Sequence, residues 1–158
     1  MPSDTDKNNS LEQNKKLVEK FIEFTWNQGR FHLARNFVRR DFKYNLSLFN
    51  QTLEYDSAAL VMQNVRNSMD DFEVMLEDVV AEGDRIVTQS LFCGTLVKPM
   101  FGFIPSANVV TFSAVSFWEI KKGQIHSLNT LLDITELMRQ MNHENKSLEL
   151  DLTALKAG

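Results

Sequence analysis

One acidic residue is a candidate for chemistry because it closes an apolar run. Asp133 ends the segment SLNTLLD and precedes ITELM, at a boundary between a predicted strand and a predicted helix. If its side chain points into an apolar cavity, desolvation raises its pKa and makes it a general acid/base near neutral pH. The same position suits a helix N-cap, where a backbone N–H stabilises the ionised carboxylate. The residues alone leave both roles open.

Other kinds of catalytic centre lack the residues that they need. The three histidines, His32, His126 and His143, share no spacing that suits a zinc site, so no metal is expected. The sequence has no glycine-rich phosphate loop, GxSxG turn or GxGxxG motif, so no cofactor and no nucleophilic serine are predicted. The single cysteine, Cys93, lies in an apolar stretch, which favours a buried thiol over a nucleophile.

Bulky apolar side chains could form a pocket around such an acid. The chain contains 12 Phe, 7 Met and 2 Trp, a content typical of an ordinary core as well as of a substrate cage. On the first predicted strand, Tyr44 and Asn45 face opposite sides, and the alternation places Tyr44 inside with the leucines. Either side chain could donate a hydrogen bond to a carbonyl. Glu119 and His126 are interpreted as solvated positions near a hairpin.

A change of hydrophobic period defines the elements that would position these residues. Residues 1–10 are predicted to be a disordered polar tail. Helical spacing is followed by alternation and then by long strands separated by turns, which is the pattern of an α+β fold. The predicted elements are a helix over 11–26, a second over 31–40, a strand within 42–48, a third helix ending near 70, antiparallel strands from 72 onward, and a short helix over 135–141.

The composition fits one globular domain. At 158 residues, with 43% hydrophobic and 24% charged side chains, the chain can bury a core and a small cavity. Its net charge of −4 argues against a nucleic-acid partner, because phosphate binding requires a positive surface. No apolar run approaches the roughly 18 residues of a membrane span, and the N-terminus lacks the order of a secretory signal. We therefore expect a cytoplasmic protein that binds neither nucleic acid nor membrane.

Several short motifs follow one another in a characteristic order. They are TWNQGR at 25–30, Asp41-Phe42, the AEGDR turn at 81–85, Gly94-Thr95, the loop containing Phe101-Gly102 and Pro105-Ser106, the turn KGQI at 122–125, and the pairing of Asp133 with Gln140. Together, over roughly residues 14–141, they resemble the SnoaL-like polyketide cyclase family within the nuclear transport factor 2-like superfamily. No single motif is decisive, but their order and spacing are fairly specific.

The resemblance implies a fold and an activity. The fold is α+β, a cone-shaped curved antiparallel or mixed sheet of the cystatin-like type, with three helices packed on its concave face around a deep apolar pocket. Such proteins are commonly homodimers through the open face of the sheet. Characterised cyclases of the family perform an intramolecular aldol condensation without metal or cofactor, and their acid/base aspartate corresponds to Asp133. The domain would span 11–141, followed by a C-terminal tail over 142–158.

Three pocket positions depart from the family pattern. Asn45 and Leu96 stand where many members have histidine, and Asn129 stands where a tryptophan is common. A carboxylate base of the ketosteroid isomerase type is not expected, because Asn45 lies near that position and cannot abstract a proton. Asp133 is therefore expected to have few titratable or aromatic partners in the pocket. The candidate substrate-binding residues are Tyr44, Asn45, Leu96, Phe101, Asn129 and Trp26.

Two functions are consistent with these residues. The first is a cofactor-free cyclase, isomerase or lyase that uses Asp133 as general acid/base on a small apolar carbonyl compound. The second is a non-catalytic ligand-binding or dimerisation module of the same fold, which the replacements at positions 45, 96 and 129 favour. Both predict a small apolar molecule as ligand and a homodimer as the assembly. A third possibility is a protein interaction through the leucine-bearing tail.

Overall fold

The structure, a computed structural model, describes residues 3–48, 50–105 and 107–142. Within these ranges, helices pack against one five-stranded sheet. The helices are α1 (Asp4–Ile22), α2 (Phe31–Ala34), α3 (Tyr55–Ser68) and α4 (Ile134–Asn142), with a π-helical turn at Glu23–Asn27 and a 3-10 turn at Arg35–Phe37. The strands are β1 (Val38–Leu46), β2 (Met69–Glu82), β3 (Arg85–Leu96), β4 (Val109–Lys121) and β5 (Gln124–Leu132).

The sheet is mixed and curved. Its strand order is β1-β5-β4-β3-β2, with β1 parallel to β5 and every other neighbouring pair antiparallel. The pairing of β2 with β3 shifts register twice, and that of β4 with β5 shifts once, between Glu119 and Ile120. Because each bulge bends its strand and increases the local twist, the sheet curls around the helices. The predicted α+β fold with a cone-shaped sheet is confirmed.

Alternating side chains of the long strands build the core. On β3, for example, Ile86, Thr88, Ser90 and Phe92 alternate inward and are nearly inaccessible to solvent, while Val87, Gln89 and Leu91 between them are more exposed. Helix α1 contributes Val18 and Phe21, both fully buried against this face. Each such apolar side chain contributes about 1.5–3 kcal/mol by leaving water. Tyr44 is buried as the alternation on the first strand predicts.

The first helix begins earlier than predicted. Residues 4–10, which the sequence analysis interprets as part of a disordered tail, are the first turns of α1. Ser3 and Asp6 form a reciprocal capping box, in which the Ser3 hydroxyl accepts the Asp6 N–H and the Asp6 carboxylate accepts the Ser3 N–H. This cap satisfies backbone donors that would otherwise be exposed, so the polar segment is helical although its residues remain exposed.

The second helix is shorter than predicted. Instead of continuing to residue 40, the helix and its 3-10 extension end at Phe37, and Val38 begins strand β1. Val38 has an extended backbone and pairs with Ile125 of β5. The Gln124 side chain also donates to the Val38 carbonyl at 3.4 Å. Strand pairing therefore overrides the helical spacing of this segment, as tertiary contacts commonly do.

Two amide side chains fasten helical segments to the sheet. Asn27 accepts from the Val74 N–H at 2.8 Å and donates to the Val74 carbonyl at 3.1 Å. On α4, Gln140 accepts from the Thr111 N–H at 2.8 Å and also donates to the Thr111 carbonyl. Each amide thus pairs with strand backbone as a neighbouring strand would, which satisfies groups that must find a partner when buried.

No helix within the described ranges is long and apolar enough to cross a membrane. The C-terminal tail predicted over 142–158 lies almost wholly outside the described residues, since α4 ends at Asn142.

Candidate ligand-binding site

The concave face of the sheet and helix α3 enclose a small space, called the interior cavity below. The volume open to a water-sized sphere is ≈ 10 Å³. About 10–15 Å³ is the least that holds one water molecule, so the cavity is essentially filled by its own side chains. Any larger molecule requires at least one of them to move. The lining residues are Trp26, Tyr44, Leu46, Val61, Val65, Phe92, Phe101, Phe112, Thr130 and Leu132.

Aromatic rings from three elements fill the interior cavity. Phe92 of β3 and Phe112 of β4 are stacked, with ring centroids 5.0 Å apart and planes 7° apart. Trp26, from the π-helical turn after α1, meets Phe92 edge-on at 5.0 Å between centroids. Pairs of this kind contribute about 0.5–1.5 kcal/mol beyond the burial of their area. Trp26, a predicted ligand-binding residue, therefore lies at the cavity and also supports its wall.

A chain of hydroxyl groups provides the polar part of this otherwise apolar lining. Tyr44 of β1 hydrogen-bonds Thr130 of β5. The Thr130 hydroxyl lies 2.9 Å from the hydroxyl of Ser116 on β4, and either can donate. All three residues are buried, and they occupy inward positions on three adjacent strands. The sheet therefore aligns the hydroxyls of Tyr44, Thr130 and Ser116 in one relay, called the hydroxyl chain below.

Burial decides what Tyr44 can do chemically. Desolvation raises the pKa of Tyr44 to about 12, although the hydrogen bond with Thr130 acts in the opposite direction. The phenol is therefore neutral at physiological pH and keeps its proton. It can donate a hydrogen bond to a carbonyl oxygen, but it does not act as a base near neutral pH.

A larger opening lies next to the interior cavity, between the second half of α3 and the loop that connects β3 with β4. This entrance cleft has a volume of ≈ 650 Å³. Val61, Val65 and Phe101 line both the cleft and the interior cavity. The remaining lining of the cleft is more polar and consists of Asn64, Asn67, Ser68, Lys98, Pro99 and Met100.

Asp133 caps a helix in this structure. Its carboxylate accepts the Glu136 N–H at 3.0 Å, and its backbone carbonyl accepts the Leu137 N–H at 3.3 Å, so it is the N-cap of α4. Its side chain is exposed and lines neither the interior cavity nor the entrance cleft, although the preceding residue Leu132 lines the cavity. Of the two roles that the residues leave open, the geometry shows the cap.

The remaining predicted ligand-binding residues divide into two groups. Tyr44, Trp26 and Phe101 line the interior cavity. Asn45 and Asn129 instead face the opposite side of the sheet, where the Asn45 side chain donates to that of Asn129 at 2.8 Å. Their pairing follows from the parallel register of β1 with β5, which sets the two residues side by side. Leu96 is fully buried but is not part of the cavity lining.

A second polar cluster lies on the outer side of the sheet. His126 is held between Asp41 and Glu119, each 3.4 Å from one of its ring nitrogens. Its Nδ1 atom is buried and has no well-formed hydrogen bond, because the contact with Glu119 has poor geometry. Partial desolvation acts to raise the pKa of Asp41, but hydrogen bonds from its backbone and Arg39, with the charge of His126, hold that pKa below its usual value.

Within the described ranges, no group of three or more His, Cys, Asp or Glu side chains is placed to hold a metal ion. Cys93, the single cysteine of the sequence, is half-buried and forms no disulfide within the chain. The polar groups at the interior cavity are uncharged. Chemistry there is therefore limited to what hydroxyl groups and aromatic faces can do.

Thr130 and Ser116 are not among the residues predicted from the sequence to form the site. The signal for them is present, because Thr130 follows the buried Leu128 by two residues and Ser116 precedes the buried Trp118 by two. Alternation therefore places both hydroxyls inside, where a polar group requires a partner. That they meet each other and Tyr44 depends on the register of three strands, which alternation does not provide.

Comparison with known proteins identifies the family. The family model described as SnoaL-like polyketide cyclase matches residues 16–141, which is most of the chain, so the protein belongs to this family. Among curated proteins, none matches the sequence significantly.

Solved structures of the same fold extend over most of the chain. A protein assigned as a SnoaL-like polyketide cyclase from Jannaschia sp. CCS1 is 24% identical, with a TM-score of 0.72 over 80% of this chain and 90% of its own. AclR of Streptomyces galilaeus, assigned as a hydroxylase, is 14% identical, with a TM-score of 0.73 over 84% and 86%. An LEH-like epoxide hydrolase of M. tuberculosis is 16% identical, with a TM-score of 0.65 over 90% and 94%. At these identities the likeness establishes the fold alone, and the fold hosts several activities.

Proposed function

We propose that this protein binds a small, flat apolar molecule that carries a carbonyl group, inside the cone formed by its sheet and helices. The observation that carries the proposal is the hydroxyl chain, which provides polar groups within an otherwise apolar, aromatic lining. Such sites typically combine apolar walls with a few polar groups that orient the ligand. A neutral phenol suits a carbonyl oxygen, which only accepts hydrogen bonds.

The hydroxyl chain supports a definite orientation of donors. If Ser116 donates to Thr130 and Thr130 donates to Tyr44, the Tyr44 proton remains available for the ligand. The 2.9 Å contact between Ser116 and Thr130 is consistent with this direction, because either of these hydroxyls can donate. Hydrogen bonds in series polarise one another, which strengthens the terminal donor. Tyr44 is then the residue that distinguishes a carbonyl compound from a hydrocarbon of the same shape.

A matched pair of ligands tests this function. We expect acetophenone to bind more tightly than ethylbenzene, which has a similar shape but no carbonyl. A net hydrogen bond of about 0.5–1.5 kcal/mol corresponds to about a two- to tenfold difference in Kd. In Tyr44→Phe the preference should disappear, because the ring remains and only the donor is lost. Isothermal titration calorimetry on both variants measures the four affinities.

A control variant removes a hydroxyl group that lies outside the interior cavity. Thr52→Val removes a hydroxyl that donates to Asn45 on the outer side of the sheet, so it should leave the preference for acetophenone unchanged. Equal affinity of the wild type for acetophenone and ethylbenzene would contradict the assignment of Tyr44 as the carbonyl donor.

Cyclase activity with Asp133 as acid/base stays a prediction for this chain. Among the residues that the structure describes, no carboxylate lines the interior cavity, and the Asp133 side chain is exposed on the surface as a helix cap. A substrate inside the cone would need α4 to rearrange before it could reach this carboxylate. The geometry therefore favours binding without a general base over a condensation reaction.

We also propose that the assembly is a homodimer through the outer face of the sheet. Val80, Phe117 and Leu131 are 58%, 47% and 55% exposed on this face, and exposed apolar side chains gathered on one face are typical of an interaction surface. The ≈ 400 Å³ cleft here is lined by Arg85 as well as by Glu82 and Glu119, so two copies of the face can be self-complementary in charge. Phe117→Glu should yield monomers in sedimentation equilibrium. A wild-type protein that is still monomeric at about 100 µM would contradict the proposal, because even a weak dimer with a Kd of about this size would be populated at that concentration.

A further inference from the structure

The interior cavity and the entrance cleft are separated by few side chains. Of the residues that line both spaces, Val61 and Val65 belong to α3, and Phe101 belongs to the loop between β3 and β4. Helix α3 is firmly held, because Arg66 donates to the Trp26 carbonyl at 2.8 Å and Val65 is almost completely buried. The remaining wall is the turn at residues 100–103, which carries Phe101 and belongs to neither a helix nor a strand of the sheet.

Phe101 occupies a backbone conformation that phenylalanine rarely adopts. Met100 and Phe103 pair through two backbone hydrogen bonds of 3.2 and 2.8 Å, which makes residues 101 and 102 the centre of a two-residue turn. Their φ angles are 50° and 83°, both in the left-handed region. Turns of this kind favour Asn-Gly, because a large side chain at positive φ is strained. Gly102 follows this preference and Phe101 does not.

The position of the Phe101 side chain between two spaces offers a reason for a phenylalanine at this turn. Phe101 is half-buried between a space of ≈ 650 Å³ and a space of ≈ 10 Å³. The turn is anchored on its first residue, since Met100 is 4% exposed, while Ile104 beyond the turn is 71% exposed. A small rotation of the turn would withdraw the ring into the cleft without breaking an element of the core. Strained backbone that persists at such a place is characteristic of binding and gating sites.

We propose that Phe101 is the gate between the entrance cleft and the interior cavity, and that its ring sets the size of the ligand that is admitted. This inference rests on the proposed function, because it concerns access to the same site. The ligand enters from the side of α3 and the β3–β4 loop, displaces the Phe101 ring, and reaches the Tyr44 hydroxyl. The wild-type cavity then accepts a single-ring ketone, and a longer ketone meets the ring of Phe101.

Binding kinetics distinguish a gate from an ordinary wall residue. Quenching of Trp26 fluorescence by acetophenone can be followed by stopped flow in a Trp118→Phe background, since Trp26 lines the cavity. For the wild type, the observed rate should reach a plateau at high ligand concentration, because opening precedes binding. For Phe101→Ala, the rate should rise linearly with concentration and exceed the wild-type plateau at least tenfold. Ile104→Ala, on the same loop, should behave as the wild type.

Ligand size provides a second readout. 4-Acetylbiphenyl should bind Phe101→Ala at least tenfold more tightly than the wild type, whereas acetophenone should change less. Phe101→Asn should behave like Phe101→Ala, and because it suits the turn it also excludes misfolding of the loop as the cause.

The failures of the two proposals differ. The gate would be overturned if the observed rate rose linearly with ligand concentration in the wild type and did not change in Phe101→Ala. If the wild type still preferred acetophenone over ethylbenzene, the proposed function would remain intact. A plateau without that preference would support the gate and overturn the carbonyl site. Absence of binding in both variants would overturn both.

Discussion

The C-terminal end of strand β5 places two polar residues in opposite environments. Thr130 lies inside the cone, where its hydroxyl meets those of Ser116 and Tyr44, and Tyr44 is 1% exposed. Asp133, three residues further on, is exposed to water and holds the first turn of α4 through its carboxylate. A charged group is thus placed where water stabilises it, and neutral hydroxyls are placed where a charge would be costly.

The contrast shows why the type of a residue does not decide its chemistry. An aspartate in an apolar segment would be a strong acid/base candidate if it were desolvated, but the cap keeps it at the surface. Tyr44 has the type of an ordinary core residue, but burial raises its pKa to about 12, so its phenol stays neutral and can donate a hydrogen bond.

The largest expected effect is on the aromatic interior. Phe112→Ala removes the ring that stacks on Phe92 and should lower the free energy of unfolding by about 3–5 kcal/mol, because a cavity remains. Val109→Ala, on the same strand but 66% exposed, should change it by no more than about 0.5 kcal/mol. Urea denaturation of both variants measures the difference. Similar losses would mean that the interior is not packed as described.

The next effect is a loss of stability at high pH. Since the pKa of Tyr44 is about 12 in the folded protein and ordinarily 10.0, both states are protonated below pH 10 and Tyr44 causes no pH dependence there. Between pH 10 and 12 the unfolded chain releases this proton and the folded protein retains it. The free energy of unfolding should therefore fall by about 1.4 kcal/mol per pH unit from this group.

Tyr44→Phe provides the control for this pH dependence. Denaturant unfolding at intervals from pH 9 to pH 11.5 should show a shallower decline in the variant, because the titrating phenol is gone. Equal slopes in the two proteins would mean that Tyr44 is accessible to solvent when folded, and would remove the physical basis for the hydroxyl chain as a protected site.

Much of the fold follows from periodicity and the family pattern, whereas the site depends on register. Alternation in the segment from Phe42 to Leu48 places Tyr44 inside correctly. It does not predict that β1 runs parallel to β5, which is what sets Asn45 beside Asn129 on the outer face. Contacts between residues far apart in the chain are absent from any local pattern.

The N-terminus shows the opposite case, in which a local signal was available. Ser3 with Asp6 is a capping box with an acidic third position, and such a box indicates a helix start at Asp4 rather than at residue 11. This helix start is not predicted from hydrophobic spacing, because residues 3–10 are polar and the spacing begins only after them. Similarly, the end of the second helix could not be found from spacing alone, since Val38 is drawn into β1 by its pairing with β5.

The smallest expected effect concerns Asp133, whose substitution distinguishes a helix cap from a catalytic residue. Asp133→Ala should lower the free energy of unfolding by about 1 kcal/mol, because the Glu136 N–H loses its acceptor, while Asp133→Asn should change it little, since asparagine caps equally well. Urea denaturation measures both. For ligand binding, Asp133→Asn should leave the affinity for acetophenone unchanged, because the carboxylate lies outside the cavity. A tenfold weaker affinity in Asp133→Asn, at unchanged stability, would show that Asp133 reaches the ligand. That result would favour acid/base catalysis by Asp133 over binding without a general base.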